Sequence, residues 1–182
     1  MSRKALVVVD VQNDYFPGGA WELVGMEAAA ANVSRLLEKA RAAGETVVHI
    51  QHVVEAGGAP FFNKGTEGVE MHEDCKPVAG EVVVQKTKAN SFRDTNLKEV
   101  LDAAGVTEIV VVGAMTQNCI DSTVRAAFDM GYKVTVVHDA CATRDLEING
   151  NVVPAQAVQA SFMAALGFAF ATILCADDYL AT

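Results

Sequence analysis

The sequence predicts an α/β protein, a three-layer α/β/α sandwich around a six-stranded, mainly parallel sheet. Short, continuous aliphatic runs alternate with stretches of helical periodicity along the whole chain, the pattern of successive βαβ units. Three of those runs are followed by a residue able to do chemistry, namely Asp10, Lys86 and Cys119. In an open parallel sheet the carboxyl ends of the strands are where ligands bind, so three residues far apart in sequence are expected to meet at one edge.

Each element follows from its residues. Leu6-Val7-Val8-Val9 is the first strand and stops at Asp10. Val33, Leu36, Leu37 and Ala40 recur at helical spacing and predict a helix ending near Gly44. Val47-Val48-His49-Ile50 is the second strand. Residues 53–80 carry Gly57, Gly58, Pro60, Gly65, Gly68 and Pro77 and predict a long irregular segment, which in a compact domain serves as a lid or oligomer contact or else is mobile. Val82-Val83-Val84 is the third strand and ends at Lys86. Leu97, Val100, Leu101 and Ala104 mark one face of a helix that stops at Gly105.

The fourth strand, residues 109–112, leads through Gly113-Ala114-Met115 into a helix that buries Ile120, Thr123, Val124, Ala127 and Phe128. Residues 134–137 are the fifth strand. Pro154 suits the first turn of a helix burying Val158, Phe162 and Leu166, and residues 168–174 are read as the sixth strand. No repeat, low-complexity tract or linker interrupts the pattern, so a single domain over residues 1–182 is expected.

With 182 residues, 51% of them apolar, the chain can bury a sizeable core. No stretch reaches the roughly 18 apolar residues needed to span a bilayer. The apolar part after Met1-Ser2-Arg3-Lys4 is too short for a signal peptide and is interrupted by Asp10, so a cytoplasmic protein is expected. The net charge is −9, from 14 basic and 23 acidic residues, and no basic cluster forms a stripe. Nucleic acid and membrane surfaces are therefore not expected partners. Cys75, Cys119, Cys141 and Cys175 lack C-x-x-C spacing and read as reduced thiols.

Thr116 is a good N-cap, which puts Cys119 in the first turn of its helix, where backbone N–H groups and the helix dipole favour a thiolate. The competing reading is a small buried hydrophobe. Asp10 closes an apolar strand, where a carboxylate is costly unless paired. It is either a general base for the thiol or a residue bonding its own turn. Lys86 is either a cationic partner or a solvated surface lysine, and Lys88 competes for the role.

The segments Val9-Asp10-Val11-Gln12-Asn13-Asp14-Tyr15-Phe16 with Pro17-Gly18-Gly19, Lys86 with Phe92, Thr95 and Leu97, Val112-Gly113-Ala114-Met115-Thr116-Gln117-Asn118-Cys119-Ile120 through Ala127, and Val137-His138-Asp139-Ala140-Cys141-Ala142 are spaced along nearly the whole chain. Together they resemble the isochorismatase-like cysteine hydrolase superfamily, related to nicotinamidases and isochorismatases, with its Rossmann-like fold. The resemblance implies Cys119 as nucleophile, Asp10 as general base and Lys86 as cationic partner. It also implies a cis peptide between Ala114 and Met115, an oxyanion hole of the Met115 and Cys119 backbone N–H groups, and a homo-oligomer, dimer or tetramer.

Departures from the family pattern bear on the substrate. Nicotinamidases of this superfamily carry an Asp-x-His pair and further histidines that hold a metal. Here the segment reads His49-Ile50-Gln51-His52-Val53, and two histidines three apart on a strand face opposite ways. No metal and no cofactor is therefore expected. Isochorismatases proper cleave a vinyl ether and lack the cysteine, so the cysteine points to acyl chemistry. Gln117 and Asn118 stand where relatives often have an acidic residue and a histidine. Gln12, Tyr15, Phe16, His52 and Asn118 are candidate pocket residues, and Trp21, Phe61 and Phe62 are aromatics that could wall it, although such residues also serve as core or interface anchors.

The expected activity is metal-independent hydrolysis of a C–N bond in a small amide or ureide through a thioacyl-enzyme. The alternatives are a vinyl ether hydrolase and a non-catalytic thiol-based binding or redox protein on the same fold.

Overall fold

A central strand with neighbours recruited from both directions organises the molecule. The structure, a computed structural model, describes residues 3–182. In chain order the elements are β1 (Lys4–Val9), α1 (Met26–Ala42), β2 (Thr46–His52), β3 (Val82–Lys86), α2 (Leu97–Ala103), β4 (Glu108–Ala114), α3 (Asp121–Asp129), β5 (Lys133–Ala142), β6 (Leu146–Ile148), β7 (Asn151–Val153), α4 (Ala155–Ala169), β8 (Thr172–Leu174) and α5 (Ala176–Leu180). The sheet has six strands in the order β3-β2-β1-β4-β5-β8, and every pairing in it is parallel. From β1 the chain builds outward through β2 to β3, then returns to the other side of β1 and builds outward again through β4, β5 and β8. The reversal between β1 and β4 is the topological switch point, where the loops diverge and leave a crevice.

Alternation along the strands assigns the two faces. Leu6, Val8, Val110 and Val112 pack with Val33, Leu36, Leu37 and Ala40 of α1 and with Tyr179 of α5. Ala5, Val7, Val9, Ile109 and Val111 pack with Leu97 and Leu101 of α2, Val124 and Ala127 of α3, and Met163 and Leu166 of α4. Each valine, leucine, isoleucine or methionine among them contributes about 1.5–3 kcal/mol when taken fully out of water. A sheet covered on both faces reads as the continuous aliphatic runs seen in the sequence.

The structure corrects several expectations. The sixth strand is Thr172–Leu174 only, because α4 continues to Ala169. Phe168 lies on that helix, 91% exposed. α4 contains no charged residue, and its apolar positions on all sides hide the helical period from which its end would be read. Phe128 is 44% exposed and Phe162 is only half-buried, with Met163 taking the core position. β5 runs past Val137 to Ala142, and β6 and β7 form an antiparallel hairpin beyond the predicted elements. Residues 53–80 are tied down: Gln12 bridges to Met71 and Val54 to Asn63, and Phe62 is fully buried.

One glycine governs how closely β1 and β4 approach. Gly113 pairs with Val9 and has φ of +115°, and a Cβ there would stand 1.9 Å from the Val9 carbonyl oxygen. The contact is with backbone, which cannot swing aside. Gly113→Ala is expected to lower stability by about 3 kcal/mol or more, from overpacking and backbone strain together. Urea unfolding measures it, and a loss near zero would show that the seam has room the geometry denies.

Candidate active site

Three chain segments converge at the switch point. β1 ends directly at Asp10, whose φ of 52° turns the chain out of the strand and whose N–H still donates to the Ile50 carbonyl at 3.0 Å. Aspartate tolerates this left-handed conformation better than most residues. β3 ends with Lys86, paired in register with His52 at the end of β2. β4 ends at Ala114, the Ala114–Met115 peptide is cis, and a π-helical turn over Thr116–Ile120 carries Cys119 into α3.

Asp10 is fully buried and Lys86 is 2% exposed. Lys86 Nζ stands 2.8 Å from Asp10 Oδ2 and donates to the carbonyls of Lys88 and Ala89, each at 3.1 Å. An ammonium has three protons, and here each finds an oxygen. Burial works against the charge of Lys86, but attraction to Asp10 outweighs it and the pKa is raised. Lys88 itself is exposed, and its carbonyl accepts from Lys86.

Cys119 is 1% exposed. Its Sγ, an Asp10 carboxylate oxygen and a His52 ring nitrogen all lie within 4.8 Å of one another. Burial raises the thiol pKa well above its ordinary value, and the charge of Asp10 adds to the rise while Lys86 opposes it. The helix-start position that favours a thiolate is opposed here by desolvation and by the neighbouring carboxylate. Thr116 is not the N-cap. Its hydroxyl donates to the Ala142 carbonyl at 3.2 Å and approaches Gln159 Oε1 at 2.5 Å, holding the turn against β5 and α4.

His49 and His52 do face opposite ways. His49, 1% exposed, pairs through Nε2 with Glu81 at 2.8 Å. His52 Nδ1 lies 4.0 Å from Asp10 Oδ2. Burial lowers the pKa of His52 despite the attraction of Asp10, which leaves a neutral imidazole near neutral pH. Neither Asp10 Oδ1 nor His52 Nδ1 has a hydrogen-bond partner among the described residues.

The other candidate pocket residues divide. Tyr15 is buried against Phe61 and Phe62, at ring-centroid distances of 5.6 and 4.6 Å. Its hydroxyl pKa is raised by burial and then by the charge of Asp10. Asn118 is exposed on the π-helical turn. Phe16 instead stacks on His72, with centroids 3.6 Å apart. Gln12 is fully buried and is corrected from pocket to clamp. Its Nε2 donates to the carbonyls of His52 and Val69 at 2.9 and 2.8 Å, and its Oε1 accepts from the His52 N–H at 2.8 Å.

This geometry of carboxylate, ammonium and thiol at the β1–β4 crevice can be set beside known proteins. The family model for the isochorismatase domain matches residues 4–166. The chain belongs to the isochorismatase family. YddQ of Bacillus subtilis (strain 168), an uncharacterized isochorismatase family protein, is 47% identical over 176 residues, covering 97% of this chain and 98% of that one. A crystal structure from Oleispira antarctica, assigned as an isochorismatase hydrolase, superposes with a TM-score of 0.96 at 49% identity, over 100% of this chain and 97% of the other. The ureidoacrylate amidohydrolase RutB of Rhizobium rhizogenes (strain K84 / ATCC BAA-868) is 31% identical over 172 residues, covering 76% of this chain and 70% of its own length.

In this isochorismatase-family protein, Asp14 is a supporting residue that sequence reasoning missed. It is buried and accepts from the N–H groups of Phe62 at 2.6 Å and Ala20 at 3.2 Å. A Cβ at Gly68 would lie 1.9 Å from its Oδ1. Asp14 thereby pins the aromatic loop over Tyr15, and only its position within the first motif hinted at a role.

Removing one partner from the buried pair strands the other's charge. Lys86→Met is expected to cost about 3–5 kcal/mol of stability. The double variant Asp10→Asn/Lys86→Met should lose clearly less than the sum of the two single losses, and strict additivity in denaturant unfolding would contradict the coupling.

The buried thiols also set an alkaline limit. Burial pushes Cys75 and Cys141 up to about 12, and Cys119 rises with them. Above about pH 8.5, where unfolded thiols ionise, the unfolded chain binds fewer protons than the folded one. Stability is therefore full below that pH and falls as pH rises, approaching about 4 kcal/mol per pH unit for three thiols. A flat unfolding free energy between about pH 8.5 and 10 would exclude this.

Proposed function

We propose that this protein hydrolyses a C–N bond of a small amide or ureide by thiol catalysis, with Cys119 as nucleophile, Asp10 as general base and Lys86 as the fixed cation. The observation that carries the reading is the pairing of a buried, proton-holding thiol with a buried carboxylate whose Oδ1 has no other hydrogen-bond partner. A thiol with a raised pKa attacks only if a base takes its proton as the bond forms, and Asp10 is within reach.

In the proposed reaction Asp10 accepts the Sγ proton while Sγ bonds to the carbonyl carbon. The negative charge moves from the carboxylate to the carbonyl oxygen, which the Met115 and Cys119 N–H groups receive. Lys86, saturated by three oxygens, stays protonated throughout and moderates the charge at Asp10. Collapse of the tetrahedral intermediate expels the nitrogen, which takes the proton held by Asp10. Water then attacks the thioester, with Asp10 again removing the proton and returning it to the departing Cys119 sulfur as the acid is released. Each proton transfer has a named protein group, so the scheme routes no step through a metal.

The ureidoacrylate amidohydrolase likeness supports an amide or ureide substrate over a vinyl ether. The reading includes a homo-oligomer working in the cytoplasm. Among the described residues no helix is long and apolar enough to cross a membrane.

The test is turnover of an amide and ureide panel, with intact-mass detection of an acyl adduct. Cys119→Ala is expected to abolish both turnover and adduct. Asp10→Asn should reduce kcat by about 10²–10⁴. Near wild-type amide or ureide turnover by Cys119→Ala would overturn the thiol mechanism.

A further inference from the structure

The strand pattern set His49 against His52 and so argued against a shared ion, but the fold gives His52 other neighbours. Asp10, His52 and Cys119 present a carboxylate oxygen, an imidazole nitrogen and a sulfur, all within 4.8 Å of one another. Asp10 Oδ1 and His52 Nδ1 are buried and have no hydrogen-bond partner. Asp10 as a residue is wholly buried. Unpartnered buried acceptors are costly, and two of them aimed at a thiol form a donor set awaiting a guest.

We propose that Asp10, His52 and Cys119 form a binding site for Zn²⁺, which competes with substrate for the same three side chains. The donors are one sulfur, one nitrogen and one oxygen, the mixed set that suits zinc and disfavours Mg²⁺ or Ca²⁺. Three protein ligands leave the fourth tetrahedral position to water. Zinc bonds of about 2.0–2.3 Å require the donors to draw together by up to about 1 Å. Side-chain rotation of His52, the one partly exposed ligand, and of the thiol supplies that movement. Lys86 remains on Oδ2 at 2.8 Å, and the metal takes Oδ1.

Binding is a proton exchange without redox change. The Cys119 S–H bond breaks, the proton leaves to solvent, and an S–Zn bond forms. His52 enters neutral and Asp10 ionised, so neither releases a proton. Counting Asp10, Lys86 and thiol as one unit, the net charge of the centre rises from zero to +1, which keeps binding reversible and sensitive to chelators. The donor set rests on geometry, whereas the accompanying loss of hydrolysis rests on the thiol-hydrolase reading given above.

Cobalt serves as the spectroscopic probe, added to the full-length protein. One equivalent of Co²⁺ is expected to give a thiolate-to-metal charge-transfer band, which Zn²⁺ bleaches by displacement. Cys119→Ser should abolish the band, and Cys175→Ser, at the only thiol outside the buried set, should leave it intact. His52→Gln should weaken Zn²⁺ binding by at least about tenfold. Circular dichroism of each variant checks folding, and the wild-type and Cys119→Ser pair suffices if His52→Gln does not fold. Absence of the band in the wild type, or its survival in Cys119→Ser, overturns the site. If zinc binds through Cys119 while amide turnover continues unchanged, the hydrolase reading fails and the metal site stands.

Discussion

The ion pair between Lys86 and Asp10 is the constraint on which the rest of this structure depends. Two charges removed from water cost several kcal/mol each, and their attraction offsets that cost only with near-complete hydrogen bonding. Lys86 meets the condition with three oxygens, two of them main-chain carbonyls of the segment that follows it. The pair thus fixes more than two side chains. It ties the end of β3 to the end of β1 across β2, and it orders residues 87–89 around the ammonium. His52 is held in the strand between them, its peptide group clamped by Gln12 on both the N–H and the carbonyl side.

The same pair sets the state of the thiol. A lone lysine beside a buried cysteine favours the thiolate, but here its charge is balanced by Asp10, and desolvation decides the outcome. A protonated thiol beside the ion pair leaves the centre neutral, the least costly arrangement in a low-dielectric site. In the proposed reaction the negative charge leaves Asp10 for the substrate oxygen only at the moment of attack. A resting thiolate beside Asp10 would place two anions within 4.8 Å with one cation between them, and burial would penalise both.

Strand ends were legible in the sequence because uniformly aliphatic runs stop abruptly, and Asp10, Lys86 and the turn bearing Cys119 all stand at such stops. The switch point was not legible, since which strands flank β1 depends on pairing over long sequence separations. α4 shows the opposite failure: with alanine, phenylalanine and methionine on every side, the boundary between helix and strand carried no periodic signal, and Phe168 was assigned to the strand. The roles of Gln12 and Asp14 were hidden for another reason. Both are polar residues in a loop-like segment, the usual sign of solvent exposure. Only the fold reveals that their hydrogen bonds end on backbone at residues 52, 62 and 69.

The seam between β1 and β4 explains why the site occurs where it does. Gly113 allows β4 to approach the Val9 carbonyl more closely than any side chain permits. The pairing of β4 with β5 shifts register between Val111 and Gly113, so the chain leaves the sheet at the level of Asp10. Thr116 holds the start of the π-helical turn bearing Cys119 against Ala142 and Gln159. A thiol on an ordinary loop would move relative to its neighbours. Here Asp10 ends the strand adjacent to the one that leads to Cys119, and His52 is the half-buried member of the cluster.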